Sequence, residues 1–373
     1  MSILISDCLL CVILKIGTPV APLPFTNLDS ILINGMGSVK IPKYLNQLDG
    51  TVGQSDYTKF NLEEFKVEPN KQYLFRVIGA NAGLPLEIQV GGHKMKIVAS
   101  DGNKLKSDNI NDVDSLILNS GERYDFVINT TNIDSTKNYF IVVKTLETKK
   151  YDQTPLLTRN FGVAVLKYTT NTNAVCSNAC VECNAPKKCK KANCPFSPTI
   201  KENSNLYQCV SIAGMESSNF NKADNDMLKL RYNKTQFEEH FFNFHFSGSI
   251  SQRSSINGRQ FILPSAPPFF KKNPLEALTQ CTCPGLTCTC TNMMKIDRNK
   301  IIQFNIFNMG TGAGIEGTSH PVHIHGHHFY LVAMGYPKYK ADNYLFLENN
   351  NDIACKNDEL CVNATWSDSE WLM

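Results

Sequence analysis

Three blocks of sequence recur in the same order in two halves of the chain, and this duplication constrains the fold more than any other feature. Ile33-Asn34-Gly35 returns as Ile256-Asn257-Gly258, an offset of 223 (256 − 33). Phe65–Val77 aligns without a gap on Met294–Ile306, an offset of 229 (294 − 65), sharing an Asn-Lys pair. Leu84–Gln89 falls on His320–His325, an offset of 236 (320 − 84). With two residues removed, Gly92-His93 then meets Gly326-His327. The slow drift is what changing loop lengths produce, and the period is far too long for a solenoid.

Within the blocks apolar residues alternate with polar ones. Tyr73, Phe75 and Val77 alternate in this way, as do Tyr124, Phe126 and Ile128, and Ile302, Phe304 and Ile306. Period-two runs bounded by Gly, Asn, Pro and Asp are strands of a sandwich or barrel. No stretch carries a long helical period, so the chain is expected to be all-β. Residues 171–205, rich in Cys, Lys, Asn and Pro, separate the repeats as a disulfide-tied connector. The expected division is therefore 1–28 as the remnant of a preceding unit, 29–170 as the first copy, 171–205 as connector and 206–373 as the second copy.

With 37 Lys+Arg against 34 Asp+Glu the net charge is +3, which gives no electrostatic reason to expect nucleic acid or an anionic membrane as partner. The apolar run Cys8–Leu14 is far short of the ~20 residues that cross a bilayer. No basic residue precedes it and Asp7 adjoins it, so Met1–Leu14 is read as starting inside a folded unit rather than as a signal peptide. Fourteen cysteines, clustered at 176–194, 281–290 and 355–361, fit disulfides in an oxidising compartment better than a regular zinc framework. The sequons at Asn129, Asn233 and Asn363 agree, and together they point to an extracellular, glycosylated protein.

Five of eight histidines lie within nine residues: His320, His323, His325, His327 and His328. On an extended strand His323 and His325 share a face, whereas His320 is out of phase and set apart by Pro321, so it is expected to serve a second site. Imidazole suits copper, zinc, iron and nickel, and no carboxylate lies inside the cluster to recruit a harder ion. His327 follows Gly326, and His93 repeats it where the other histidines are absent. Direct ligation and a supporting role both stay open for it, the second favoured. His240 and His245 sit in an aromatic strand and are expected to be packed rather than ligating.

His320-Pro-Val-His-Ile-His-Gly-His327 resembles the third-domain copper motif of multicopper oxidases, in the laccase branch. Leu263–Pro268, the Cys281–Cys290 cluster and Met334–Tyr339 resemble the animal laccase-like group, and Ile33–Gly35 with Gly121–Val127 resembles the family's second domain. The resemblance implies tandem cupredoxin-like Greek-key β-sandwich domains, the first copy without copper because Leu84, Glu87 and Gln89 replace the histidines. It also implies His320 at a type 1 copper, His323 at the type 2 copper and His325 at one of the type 3 pair. The partners implied are a small phenol or aromatic amine as reductant and O2 as acceptor, which is reduced to water.

The family's His-Cys-His motif and its first-domain His-x-His pairs are not found in this sequence. The chain is accordingly expected to be an internal fragment with an incomplete last domain, inactive by itself, with no catalytic residue assigned. Non-catalytic copper binding and metal-ion (ferroxidase-type) oxidation are the alternatives within this reading. A zinc hydrolase using His-x-His is the alternative outside it. Expressed alone, the second copy is expected to stay partly unfolded.

Overall fold

The computed structural model describes residues 1–8, 30–37, 54–56, 61–81, 85–106, 112–145, 161–175, 189–194, 207–210, 215–218, 236–245, 254–264, 267, 281–282, 288–291, 293–308, 322–331, 334–335, 338–339, 346–348 and 371–372. Among these residues the chain is all-β, as the alternation predicts.

The chain opens with β1 (Ser2–Cys8), β2 (Ser30–Ile33), β3 (Gln54–Asp56), β4 (Glu63–Lys66) and β5 (Gln72–Gly79). It continues through β6 (Leu86–Val90), β7 (Lys96–Ser100), β8 (Asn103–Lys104), β9 (Ser115–Leu118) and β10 (Arg123–Asn129). Then follow β11 (Asn138–Thr145), β12 (Phe161–Lys167), β13 (Asn173–Val175), β14 (Cys189–Ala192) and β15 (Tyr207–Val210). One sheet runs β2-β1-β5-β10-β7-β8, and the other runs β15-β14-β9-β6-β11-β12-β4, with β13 joining β11 to β3.

Period-two patterning decides which side chains meet between these sheets. Along β5 and β10 the buried residues alternate, placing Phe75, Val77, Tyr124, Phe126 and Ile128 inward. Phe75 stacks on Phe126 with centroids 5.4 Å apart, and Phe65 meets Phe75 edge-on. Leu86, Ile88, Leu116, Leu118, Ile141 and Val143 complete this core from the second sheet. The second sheet is covered on its other face too, where Phe140, Val142, Phe161, Val163 and Val165 form a smaller cluster. This is why β11 and β12 read as nearly continuous apolar runs. Gly162 is required by a close approach: a Cβ there would lie 2.6 Å from Ile31 Cγ2.

The second copy contributes β16 (Phe237–His245), β17 (Ser255–Ile256), β18 (Arg259–Phe261), β19 (Cys288–Cys290) and β20 (Ile301–Asn308), in the sheet order β19-β18-β17-β16-β20. Two short pairs follow, Met334–Gly335 with Trp371–Leu372 and Lys338–Tyr339 with Phe346–Glu348. Most side chains of β16–β20 are half-buried or exposed on both faces, including Phe241, Phe261 and Ile306.

The duplication reappears in three dimensions. β5 and β20 coincide residue for residue at the offset of 229 (301 − 72 and 308 − 79). Asn34-Gly35 and Asn257-Gly258 both form two-residue hairpin loops, with φ of 52° and 78° in the first and 50° and 73° in the second. Such loops need positive φ at both central residues, which Asn-Gly supplies at least cost.

The repeat also reaches further upstream than the sequence blocks did. β1 pairs antiparallel with β2 and parallel with β5, as β16 pairs with β17 and β20. Ile5 opposes Ile33 as Phe244 opposes Ile256, and Ser2 opposes Arg76 as Phe241 opposes Asn305. Both comparisons give one offset, 239 (244 − 5 and 241 − 2). Ser2–Cys8, expected to be a remnant of a preceding unit, is therefore an interior strand of the first copy. Likewise β13, β14 and β15, inside or just beyond the expected connector, are hydrogen-bonded into the second sheet. These strands carry little alternation, and only their pairing reveals them.

Candidate metal centre

His320 lies outside the described residues. His323 and His325 fall in 322–331, expected as a strand but forming an irregular stretch with a turn at His325-Gly326. Gly326 has φ 74°, which breaks an extended run, and no described strand pairs with this stretch. The two imidazoles nevertheless meet, with centroids 4.7 Å apart in an edge-to-face arrangement. Both are exposed.

The stretch lies against one turn and one short strand of the first copy. A Cβ on Gly121 (φ 82°) would be 3.8 Å from His323 Nδ1, so the ring rests over the turn between β9 and β10. His328 Nδ1 is 3.5 Å from Asn103 Nδ2 on β8. Behind Gly121, the Glu122 carboxylate accepts from the Asn119 backbone N–H at 2.6 Å and from Asn193 Nδ2 at 2.8 Å. Burial, with the nearby Asp101 carboxylate adding to it, pushes the Glu122 carboxyl up to about 7 despite these donors.

In the first copy the positions matching His323 and His325 are Glu87 and Gln89, both on buried β6. Glu87 is 1% exposed and lies 3.0 Å from Lys191 Nζ and 3.3 Å from Lys144 Nζ. Gln89 Nε2 donates to Glu87 Oε1 at 3.3 Å. Burial alone would raise the Glu87 carboxyl, but the two ammonium groups, with a smaller contribution from Ser115, hold it down to about 2. A carboxylate engaged in this way by two lysines is not available to a metal.

Sequence reasoning did not single out Lys144, Lys191 or Glu122. A lysine interrupting the apolar run of β11 was the available signal for Lys144; Lys191 arrives from the Cys/Lys-rich segment through non-local pairing.

The remaining histidines are not ligand clusters. His93 is buried, with Nδ1 2.6 Å from Gly91 O and Nε2 2.5 Å from Tyr168 OH, and it packs between Tyr139 and Tyr168. Burial lowers its pKa, so the ring is neutral. His240 Nε2 is 2.8 Å from Glu238 Oε1, and its ring lies beside Phe304. His245 is half-buried.

Among the described residues, no three His, Cys, Asp or Glu side chains converge where they could hold one ion. Two imidazole donors such as His323 and His325 suit copper chemically, and among the described residues no third His, Cys, Asp or Glu joins them.

Comparison with known proteins bears on the same residues. The multicopper oxidase family matches residues 16–171, and a second multicopper oxidase domain of that family matches 267–364, together more than half the chain. Laccase-2 of Fomitopsis schrenkii is 24% identical over 285 residues, covering 76% of this chain and 47% of that protein. The iron transport multicopper oxidase of Gibberella zeae is 25% identical over 301 residues, covering 80% and 39%. An L-ascorbate oxidase of Nicotiana tabacum is 41% identical over 78 residues, covering 21% and 13%. The chain thus spans less than half the length of these relatives. Among solved structures, the laccase from Botrytis aclada aligns at 11% identity and a TM-score of 0.36, covering 69% of this chain and 39% of that one.

Proposed function

Because the chain belongs to the multicopper oxidase family, we propose that it is part of a laccase-like oxidoreductase that takes electrons from a phenol or aromatic amine and passes them to O2, giving water. Copper is the family's cofactor. In this reading His320 serves a type 1 copper, which accepts single electrons from the reductant, while His323 and His325 serve the type 2 and type 3 coppers. The observation that carries the reading is the meeting of the His323 and His325 rings at 4.7 Å within the motif that resembles the family's copper site.

This chain's own residues do three things in that reaction. The imidazoles of His323 and His325 offer nitrogen donors. Gly121, at the β9–β10 turn, lies within van der Waals reach of the His323 ring. Glu87, paired with Lys144 and Lys191, stands at the position matching His323 in the first copy, which serves as scaffold. An extracellular location is part of the proposal, supported by the disulfides Cys194–Cys209 and Cys281–Cys290. No helix of the described residues is long and apolar enough to cross a membrane.

The test is an oxygen-electrode assay on copper-loaded protein isolated from its source and identified by peptides of this sequence. Oxygen uptake driven by a methoxyphenol supports the laccase reading. Uptake driven by Fe(II) alone moves the assignment to a metal-ion oxidase, in keeping with the similarity to an iron transport oxidase. Copper binding without uptake from either moves it to a non-catalytic copper-binding protein.

A further inference from the structure

The two copies share one detail that separates scaffold from ligand among the clustered histidines. In both, a glycine at positive φ is followed by a histidine whose Nδ1 faces the carbonyl two residues earlier. Gly92 has φ 68° and Gly326 has φ 74°. His93 Nδ1 lies 2.6 Å from Gly91 O, and His327 Nδ1 lies 3.2 Å from His325 O. A carbonyl only accepts, so in each ring Nδ1 is the donor of this bond, which in a neutral imidazole leaves Nε2 as the acceptor. In the first copy that acceptor is satisfied by the Tyr168 hydroxyl at 2.5 Å.

A metal-ligating histidine also commonly donates its second N–H to a carbonyl, so the bond alone does not distinguish the two roles. The first copy does distinguish them. Its Gly-His turn holds the same bond although the neighbouring ligand positions are taken by Glu87, engaged by two lysines, and by Gln89. The bond therefore needs no metal, and its purpose in the first copy is to fix the turn that leaves β6. In the second copy the two-residue deletion makes His325 itself the source of the carbonyl. The turn-fixing bond and the candidate metal ligand are then on one residue.

We propose that His327 is a positioning residue and not a copper ligand: by donating Nδ1–H to the His325 carbonyl it fixes the backbone from which the His325 imidazole is presented. The role rests on the reading of His323 and His325 as copper ligands. The hydrogen bond itself does not, and the experiment separates the two.

Two substitutions resolve which nitrogen matters. In His327→Asn the side-chain amide nitrogen can take the place of Nδ1, and nothing remains at Nε2. In His327→Gln the amide reaches the Nε2 position and the Nδ1 bond is lost. His327 is exposed, so neither substitution disturbs a packed core. The full chain, labelled with 15N-histidine and free of metal, is first examined by long-range 1H–15N correlation. His327 is expected to show the Nδ1-protonated tautomer, as His93 does. The backbone amide shifts of 325–327 should be kept in His327→Asn and displaced in His327→Gln.

Cu(II) alone is then titrated against a competing chelator. Both variants should bind as many equivalents as the parent, His327→Asn with nearly the parent affinity and His327→Gln about 10–100-fold more weakly, the range for lost partners of ligand histidines. An Nε2-protonated His327 in the metal-free chain overturns the proposal, as does loss of a copper equivalent in both variants, or equal weakening by Asn and Gln. If the parent binds no copper, the ligand assignment fails, while the tautomer and the Asn–Gln contrast still decide the role of His327 in the turn.

Discussion

Replacing Glu87 by Gln keeps the shape of the side chain and removes its charge, leaving two ammonium groups against a buried neutral amide. Lys144 and Lys191 side chains are only 13% and 16% exposed, so water restores little of the lost solvation. The magnitude follows from the protonation equilibrium. A carboxyl held at about 2 against an ordinary 4.5 corresponds to roughly 3 kcal/mol at ~1.4 kcal/mol per pH unit. Removing one partner of a buried ion pair independently gives ~3–5 kcal/mol.

Because the folded pKa lies below the unfolded one, the stabilisation is complete above pH 4.5 and disappears as pH falls towards 2. Urea unfolding of the full chain, followed by tyrosine fluorescence, should show Glu87→Gln about 3 kcal/mol less stable at pH 7, with the gap closing between pH 4.5 and 2. The triple variant with Lys144→Met and Lys191→Met should recover most of the loss, because an apolar cluster replaces a buried ionic one at little net cost. A gap under ~1 kcal/mol at pH 7, or one that does not change with pH, would refute the reasoning.

Glu122 has the opposite sign. Its folded pKa of about 7 lies above 4.5, so its contribution is complete below pH 4.5 and is lost as pH rises through 7. Glu122→Gln, which keeps an oxygen for the Asn119 and Asn193 donors, should therefore gain up to ~3 kcal/mol at pH 8 and nothing at pH 4, read from unfolding curves at both. Gly162→Ala should cost ~1–3 kcal/mol, seen as a lowered urea midpoint, because its Cβ meets Ile31. Hydrogen exchange should be slowest in β5, β6, β10 and β11 and faster in β16 and β20, whose side chains are half-exposed; uniform protection would show that the second copy is as well covered as the first.

Much of this architecture is legible in the sequence because it is local. Alternation locates β5, β10 and β20, and Asn-Gly marks both hairpins. What stays hidden is set by pairing across the chain. Ser2–Cys8 is flanked by no turn signal, and only its register against β2 and β5 reveals it as part of the repeat. The lysines that engage Glu87 come from β11 and β14, one across the strand pair and one from a segment whose composition suggests only a linker. At the histidines, residue type and spacing identify the ring pair, while the strand they imply yields to a turn at Gly326, where positive φ outweighs alternation.

The parallel pairing of β1 with β5 has a consequence for synthesis. Ser2 opposes Arg76, so 74 residues (76 − 2) must leave the ribosome before the first strand of the chain meets its inner neighbour. At translation rates of ~5–20 residues per second the strand waits several seconds with its edge exposed. Such a wait makes this nascent segment a natural client for a holding chaperone, and slowing translation over the codons between 8 and 72 should aggravate aggregation more than slowing it downstream of β12.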